Sequence, residues 1–229
     1  MFLILLIGVA AVFILRLRAR LASLAEQIRQ LRANALEPVS YRPAPAGALG
    51  ESVAKATAEA ERLGFTMLGD YLEDSSLDAT GRAMRWFVDP TGTTFGWLAP
   101  FAALGQQHIV VVLMSHELAA QTITSRQPPA SLLSRPPFVD LTTLPMTSSL
   151  TEVVAKHRKR AQLDDEERAF IPVRAFDQLT AELDRMRDNV IAWRKAQPAD
   201  ELLDADLRSL LGAQYGKLAG AMRRRLAAR

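Results

Sequence analysis

The sequence feature that most constrains the fold is an unbroken apolar run directly after Met1, residues 2–15 (FLILLIGVAAVFIL). A helix that crosses a bilayer needs about 20 apolar residues, with about 17 as the lower limit. The run reaches that length when Met1 and Leu17 are added and the flanking arginine side chains extend to the headgroups. We therefore predict a transmembrane anchor at residues 1–17. Its anchoring side chains are Phe2, Leu3, Ile4, Leu5, Leu6, Ile7, Val9, Val12, Phe13, Ile14 and Leu15, and its flanking basic residues are Arg16, Arg18 and Arg20.

Two alternatives to this anchor stay open. A secretory signal peptide carries positive charge before its apolar run and a small-residue cleavage site after it, whereas here the arginines follow the run. A buried core helix is normally apolar on one face, and this run is apolar on every face. Because basic residues collect on the cytoplasmic side, we predict a single-pass membrane protein with a cytoplasmic C-terminal domain. A periplasmic domain is the alternative orientation.

A short helix and a linker are predicted after the anchor. Apolar residues alternate in steps of four and three, which indicates a juxtamembrane helix over residues 18–36. This seam would serve either a parallel dimer stalk or an amphipathic helix that lies on its own domain or on lipid headgroups. Residues 37–50 (EPVSYRPAPAGALG) are rich in proline and glycine and are interpreted as an extended linker. The seam consists of Leu17, Leu21, Leu24, Ile28 and Leu31.

Residues 51–165 have the pattern of an α+β domain. A helix over 51–63 is followed by short segments rich in β-branched and aromatic residues, separated by turn residues. The strongest segment, 108–115 (HIVVVLMS), is apolar on both faces and is predicted to be the central strand. Because the connections are too short for crossover helices, we predict an antiparallel sheet of four or five strands packed on helices. The strand segments are 65–71, 82–88, 93–99, 108–115 and 121–125.

Residues 126–147 are rich in proline and are predicted to form no regular element. A loop of this length is either an ordered crossover along the sheet or a lid over an active-site cleft. The helix that follows begins at a capping box formed by Ser149 and Glu152. Its apolar face carries Leu150, Val153, Val154 and His157.

The end of the chain, residues 166–229, is predicted to be a helical hairpin. Apolar residues recur in steps of three and four from Phe176 to Trp193, which indicates one long amphipathic helix that ends before Pro198. Leucines from Leu203 to Leu226 mark a second helix. Because the break between the two is short, we expect them to pack antiparallel.

The sequence contains few residues that are candidates for catalysis or metal binding. The chain contains no phosphate-binding glycine loop, no dinucleotide fingerprint and no hydrolase nucleophile elbow, and its lack of cysteine excludes disulfides and thiolate sites. His116 and Glu117 begin like a zinc-protease motif, but Ala120 stands where the second histidine is required. His108 and His116 remain as catalytic candidates if adjacent loops bring them together. No cofactor and no metal site are predicted.

The charge pattern also limits the partners. The formal net charge of +3 is small, and the aromatic residues are not interleaved with a basic face, so we do not predict nucleic-acid binding. The predicted partners are the lipid bilayer and a second copy of the chain. That second copy would form a homodimer through the juxtamembrane and C-terminal helices.

Several short stretches together resemble one group of proteins. Residues 63–65 (LGF) and 68–71 (LGDY), the strands around Trp86 and at 108–115, and residues 122–125 before the proline-rich segment carry the resemblance. They are similar in layout to uncharacterised bacterial single-pass membrane-tethered proteins with an α+β domain. The resemblance covers about residues 51–160 and implies a bacterial, membrane-attached protein. It implies no activity and no site residues.

From these patterns we expect a non-enzymatic interaction or scaffold domain held at the inner membrane. One alternative is a lipid- or small-ligand-binding domain with a dry cavity lined by Trp97, Val111 and Leu113. The other is a hydrolase-type enzyme with a cleft under residues 126–147, in which His108 or His116 would act as the base.

Overall fold

The computed structural model describes residues 16, 19–33, 35–37, 39–75, 78–103, 106–127, 133–165 and 167–227. These residues belong to two compact units, which we call the helical unit and the sheet unit. The helical unit comprises Met1–Glu37, Ser131–Ser134 and Gln197–Arg229, and the sheet unit comprises Pro38–Ala130 and Arg135–Ala196. The helices are α1 (residues 19–33), α2 (Gly50–Arg62), α3 (Leu150–Ala161), α4 (Phe176–Ala196), α5 (Ala199–Leu211) and α6 (Tyr215–Ala227).

In its described residues, the sheet unit is built on one mixed sheet of seven strands that lie side by side in sequence order. They are β1 (Ser40–Pro43), β2 (Thr66–Ser75), β3 (Asp78–Val88), β4 (Phe95–Ala103), β5 (Gln106–His116), β6 (Gln121–Arg126) and β7 (Val139–Leu144). Neighbouring strands are antiparallel as far as β6, and β7 pairs with β6 in parallel. The second half of β5 is buried on both faces, which explains its continuous apolar sequence.

The α+β class is confirmed, but the predicted antiparallel sheet of four or five strands is wrong. β1 lies in the segment that was interpreted as a linker, where Tyr41 is the register partner of Glu73 in β2. β7 lies in the segment predicted to have no regular element, and it makes the sheet mixed. Both strands are short, and each ends at or beside a proline, Pro43 or Pro145, so neither produces a long periodic pattern.

One face of the sheet is covered by α2 and α3. α3 begins at the predicted capping box: the Ser149 hydroxyl accepts from the Glu152 N–H at 3.2 Å, and the Glu152 carboxylate accepts from the Ser149 N–H at 2.7 Å. The buried residues of this core are Leu49, Val53, Ala56, Ala60, Phe65, Phe87, Leu98, Val111, Leu113, Leu150 and Val153.

α4 covers part of the opposite face. Its first residue, Phe176, stacks on Tyr71, and Tyr41 meets the same ring edge-on at a centroid distance of 6.1 Å. Leu179, one turn further along α4, is fully buried in this second core. The other buried members are Met84, Trp86, Val88, Phe95, Ala99, Val110, Val112, Met114 and Val173.

The helical unit has a separate core formed by α1, α5 and α6. Its buried apolar residues are Ala25, Ile28, Leu207, Leu211 and Met222, and Leu21 and Leu24 pack against them. Asp206 is fully buried and accepts hydrogen bonds from the Ser134 N–H and hydroxyl at 3.0 and 2.6 Å. The Arg32 guanidinium lies 3.1 Å from the same carboxylate. The seam of α1 therefore packs within its own chain.

The predicted C-terminal hairpin of two long helices is corrected in one respect. The residues expected in one helix from Leu203 to Leu226 form α5 and α6, which the 3-10 turn Gly212–Gln214 separates. Gly212 follows α5 with a φ of +48°, a conformation that favours glycine and ends the helix. α5 and α6 pack against each other, whereas α4 belongs to the sheet unit.

The predicted single-pass transmembrane architecture is contradicted. Among the described residues, no helix combines the length and the apolar character needed to cross a membrane. α4, the longest of the named helices at 21 residues, carries charged side chains throughout (FDQLTAELDRMRDNVIAWRKA). The prediction of an inner-membrane location is corrected by this finding. The apolar run 2–15 and Arg18, on which that prediction depended, lie outside the described residues, while Arg16 and Arg20 are exposed.

Candidate functional site

His116 is the buried end of β5 and the centre of one polar network. Its Nδ1 donates to the Glu182 carboxylate of α4 at 2.9 Å, and its Nε2 accepts from the Gln121 side-chain amide of β6. Arg185 donates from Nε to the other Glu182 oxygen at 2.9 Å. It also donates to the backbone carbonyls of Glu117 and Leu118 at 2.9 and 2.7 Å. The network therefore fixes α4 to the β5–β6 turn.

The electrostatics of this network keep the imidazole neutral and the carboxylate ionised. Burial lowers the pKa of His116, although the hydrogen bond to Glu182 opposes the shift. Burial would raise the pKa of Glu182, but the hydrogen bonds from Arg185 and His116 outweigh it and lower that pKa well below its usual value. Since Gln121 occupies Nε2, both ring nitrogens already have protein partners. His116 is thus held as a structural donor and acceptor.

His157 of α3 forms a second buried network with Ser115 of β5 and Thr124 of β6. Its Nε2 lies 3.0 Å from the Ser115 hydroxyl oxygen, and its Nδ1 lies 3.1 Å from the Thr124 hydroxyl oxygen. The Ser115 hydroxyl donates to the Thr93 carbonyl at 2.8 Å. Because that proton is committed, Ser115 accepts from an Nε2–H of His157, and Nδ1 accepts from Thr124. Burial lowers the pKa of His157 to about 4, which favours this neutral form.

The direction of the Ser115–His157 hydrogen bond decides its chemistry. A serine nucleophile needs a histidine that accepts the hydroxyl proton, as in hydrolase triads. Here the imidazole donates to the serine instead, and both side chains are buried to 1% exposure or less. The pair therefore fastens α3 to the sheet. No motif in the sequence marks this pair, and only the apolar face of α3 indicated that His157 turns inward.

The two histidines that the sequence offered as catalytic candidates do not lie close together. His108 lies near the start of β5 and His116 at its end. Eight residues of strand separate them by about 26 Å at roughly 3.3 Å per residue. His108 is half-buried, and its register partner is Phe101. A shared site for these two side chains is excluded by this distance.

An open groove lies on the sheet face that α4 partly covers. We call it the sheet groove: a cavity of about 320 Å³ within the sheet unit. Its floor is Ala99 and Val110, which are register partners in β4 and β5. Trp97 and Phe101 flank Ala99 at alternate positions of β4, so all three side chains share one face. The groove is lined by Arg82, Trp97, Ala99, Pro100, Phe101, Val110 and Gln127.

The groove exists because a small residue lies between two large ones. Ala99 is only 2% exposed but leaves space above it, whereas Phe101 remains 37% exposed. The exposed Arg82 of β3 supplies a positive charge at one side, and Gln127 supplies an amide. Glu73 of β2 is the register partner of Arg82, and burial raises its pKa against the opposing effect of Arg82. The groove therefore combines an apolar floor with a cationic edge.

The cavity expected for the lipid-binding alternative does not form from the three residues named for it. Trp97 is the register partner of Val112, so Val111 and Leu113 point to the opposite face. Both are fully buried against α2 and α3 in the first core. Only Trp97 belongs to the sheet groove.

The helical unit has a larger cleft of about 710 Å³, but its central charges pair with one another. Asp204 accepts from Arg208 at 2.9 Å and also contacts the Arg223 guanidinium and the Tyr215 hydroxyl. Within the described parts of the chain, no group of three or more acidic or histidine side chains could hold a metal ion. The cleft predicted under residues 126–147 cannot be traced through 128–132, which lie outside the described residues, and 139–144 form β7.

Comparison with known proteins adds no family: no protein-family model, no curated protein and no solved structure matches the chain.

Proposed function

We propose that the sheet unit is a non-enzymatic binding domain whose sheet groove holds a small amphipathic ligand with an anionic head and an apolar body. The observation that carries this proposal is the placement of Arg82 beside an apolar floor flanked by Trp97 and Phe101. Ligand sites of proteins are typically apolar concavities with few polar groups that fix orientation. An arginine at such a site recognises carboxylate or sulfonate oxygens through its planar set of donors.

The size of the groove sets the expected affinity. Its volume of about 320 Å³ lies at the lower end of the range for ligand sites, so the ligand is small. Burying about 150 Å² of apolar ligand surface contributes roughly 4 kcal/mol, to which an exposed ion pair adds less than about 1 kcal/mol. We therefore expect dissociation constants of roughly 0.1–1 mM for simple amphipathic anions.

Binding is favoured over hydrolysis by the state of the buried histidines. His116 and His157 already use both ring nitrogens within the protein, and the Ser115 proton is donated to a backbone carbonyl. Neither histidine lines the sheet groove. A ligand in the groove would therefore meet hydrogen-bond donors and apolar surface, and neither of these two buried histidines would act on it as a base.

The proposal is tested by titrating the full chain with 8-anilinonaphthalene-1-sulfonate and displacing it with octanoate. Arg82→Gln is expected to weaken binding about threefold to fivefold through loss of charge, and Phe101→Ala about tenfold through loss of a wall. Two matched variants serve as controls. Arg158→Gln removes an exposed arginine of α3, and Leu118→Ala removes a leucine that is 78% exposed in the β5–β6 turn. Equal binding by all four variants would show that the dye binds elsewhere.

The same titration has an expected pH dependence because Glu73 lies opposite Arg82. The pKa of Glu73 is raised above its ordinary 4.5, so its negative charge is lost earlier than usual as the pH falls. The dye sulfonate stays ionised, and its binding is therefore expected to tighten as the pH falls below 7. Glu73→Gln should bind more tightly at pH 7 and lose this dependence. An unchanged pH profile in Glu73→Gln would remove Glu73 from the site.

A further inference from the structure

β7 is an edge strand whose outer side carries backbone groups in a defined pattern. It pairs with β6 on one side and has no neighbouring strand on the other within the described residues. The Gln121 N–H donates to the Phe138 carbonyl at 2.8 Å, and Gln121 is the register partner of Val139. In an evenly spaced parallel ladder, residues 140, 142 and 144 then also bond to β6. The N–H and C=O groups of residues 139, 141 and 143 therefore point outward.

Most of these outward groups have no hydrogen-bond partner in the part of the chain that the structure describes. The Val139 N–H donates to the Pro136 carbonyl at 3.1 Å within a turn. The N–H groups of Leu141 and Thr143 have no acceptor among the described residues. A guanidinium nitrogen of Arg135 lies 3.5 Å from the Leu141 carbonyl, the outer limit of a hydrogen bond, and Arg135 is exposed. Among the described residues, the Arg135 side chain is therefore the one group that covers this row of backbone groups.

The outward N–H and C=O groups of one β7 strand can form hydrogen bonds with those of a second β7 strand. If two β7 strands pair antiparallel about Leu141, each Leu141 N–H meets the Leu141 carbonyl of the other copy. Each Thr143 N–H meets the Val139 carbonyl of the other copy. Every available outward N–H then has an acceptor, and the Val139 N–H, already used in the turn, is the only outward donor left out. Pairing about Thr142 would match the same two donors, with the Leu141 N–H bonded to the Thr143 carbonyl and the Thr143 N–H bonded to the Leu141 carbonyl.

The side chains favour pairing about Leu141 over pairing about Thr142, because the latter would place the Asp140 carboxylate opposite the apolar Leu144. Pairing about Leu141 places the two Leu141 side chains together and each Val139 beside a Thr143, and such apolar and β-branched cross-strand pairs are favourable. On the other face, Asp140 lies opposite Thr142. A shift of pairing to centre on Asp140 would put two carboxylates opposite each other, which is unfavourable. Asp140 is in addition paired with Arg160 of α3 in its own copy.

We infer that two copies of this chain associate through antiparallel pairing of their β7 edges about Leu141, with Arg135 restraining the association. The edge is six residues long, and such a contact alone is smaller than the interfaces of about 1,200 Å² or more that hold stable dimers. The association is therefore weak and depends on concentration. Arg135 covers the Leu141 carbonyl that the pairing needs, as charged side chains commonly protect open edges.

The test is sedimentation velocity of the full chain over a concentration series, with four variants. Thr143→Pro removes an outward N–H without touching the backbone bonds to β6, since proline is tolerated at such edge positions. It also removes the contact of the Thr143 hydroxyl with the Ser125 hydroxyl of β6 at 3.3 Å, and the Thr143→Val control loses the same contact. It should raise the dissociation constant at least about tenfold. Thr143→Val keeps the N–H and the branched shape and should leave the constant within about twofold. Arg135→Ala should strengthen association about threefold to tenfold, whereas the matched Arg158→Ala should not.

Hydrogen exchange supplies an independent readout. Exchange of the Leu141 and Thr143 amides should slow as the protein concentration rises, while other exposed amides are unaffected. The inference is overturned if the wild-type chain and the Arg135→Ala variant both stay monomeric at all concentrations. So would a dimer that is indifferent to both Thr143→Pro and Arg135→Ala. If Thr143→Pro does not fold, the Arg135→Ala comparison still decides between these outcomes.

Discussion

The buried imidazole of His157 couples the stability of the sheet unit to pH. In the unfolded chain this group binds a proton near pH 6.5, whereas in the folded protein its pKa is about 4. Between those values the unfolded state holds more protons, so stability falls as the pH falls. The expected loss from His157 between pH 7.5 and pH 5 is about 2 kcal/mol. Burial of His116 acts in the same direction.

Urea unfolding at pH 7.5 and pH 5 measures this loss. His157→Gln should reduce the difference in unfolding free energy between the two pH values by about 2 kcal/mol, although it destabilises the protein at both. His108→Gln is the matched control, because His108 belongs to neither buried network. A His157→Gln variant with the full pH dependence of the wild type would show that His157 is not held neutral.

At the residue scale, the sequence indicated that His157 is buried, but it did not predict the contact of His157 with Ser115 or the position of Arg82 beside the sheet groove. The absence of a nucleophile motif was visible directly, and the position of His157 among Leu150 and Val153 indicated burial. The contact of His157 with Ser115 was not predictable, because it depends on how α3 lies across β5. Arg82 was missed for a related reason: an exposed arginine becomes part of a site only when the sheet register brings it beside Phe101.

Among the elements, the β4–β5 pair depends on one glycine. A Cβ on Gly96 would collide with the Val112 carbonyl oxygen and approach the Leu113 side chain to 3.1 Å. Gly96→Ala must therefore displace the ladder between these strands, and we expect a loss of at least about 3 kcal/mol in unfolding free energy. Gly216 in α6 has no atom within 4 Å of the added Cβ. Gly216→Ala should instead stabilise by up to about 1 kcal/mol.

Thermal and urea unfolding of both glycine variants make the comparison. A Gly96→Ala protein as stable as the wild type would contradict the close approach of β4 to β5. A strongly destabilised Gly216→Ala protein would contradict the open space around that residue in α6.

The elements that were predicted well are those set by local chemistry. Ser149 and Glu152 satisfy each other's backbone N–H groups, and α3 begins at Leu150, directly after the N-cap residue Ser149. β7 was missed because its stabilisation comes from β6, through a parallel pairing that no local signal reports. Pro145 marks where the strand ends but says nothing of its partner.

At the scale of the whole molecule, the sequence did not reveal which face of the sheet each apolar side chain occupies. Trp97, Val111 and Leu113 are all apolar, and composition alone allows them to line one cavity. A register that pairs Trp97 with Val112 places them on opposite faces, because side chains alternate along each strand. A shift of one residue in the register would therefore move a side chain from the closed core beneath α2 and α3 to the open sheet groove on the other face.

The helical unit provides the last prediction, since α1 could use its apolar face within the chain or in a dimer. Ile28 is 1% exposed among α5 and α6 of its own chain. Ile28→Ala should therefore destabilise the helical unit by about 2–4 kcal/mol without altering the sedimentation behaviour of the chain. Gln27→Ala, an exposed position of α1, is the matched control.

Two probes separate the units in this experiment. All three tryptophans, Trp86, Trp97 and Trp193, belong to the sheet unit, so tryptophan fluorescence reports on that unit. Far-ultraviolet circular dichroism reports in addition on α1, α5 and α6. The unfolding of Ile28→Ala should begin earlier by circular dichroism, while the fluorescence midpoint stays close to that of the wild type. If Ile28→Ala instead dissociated a dimer and left both unfolding transitions unchanged, the apolar face of α1 would belong to an interface between copies, because a substitution inside a packed intramolecular core must lower the stability of that core.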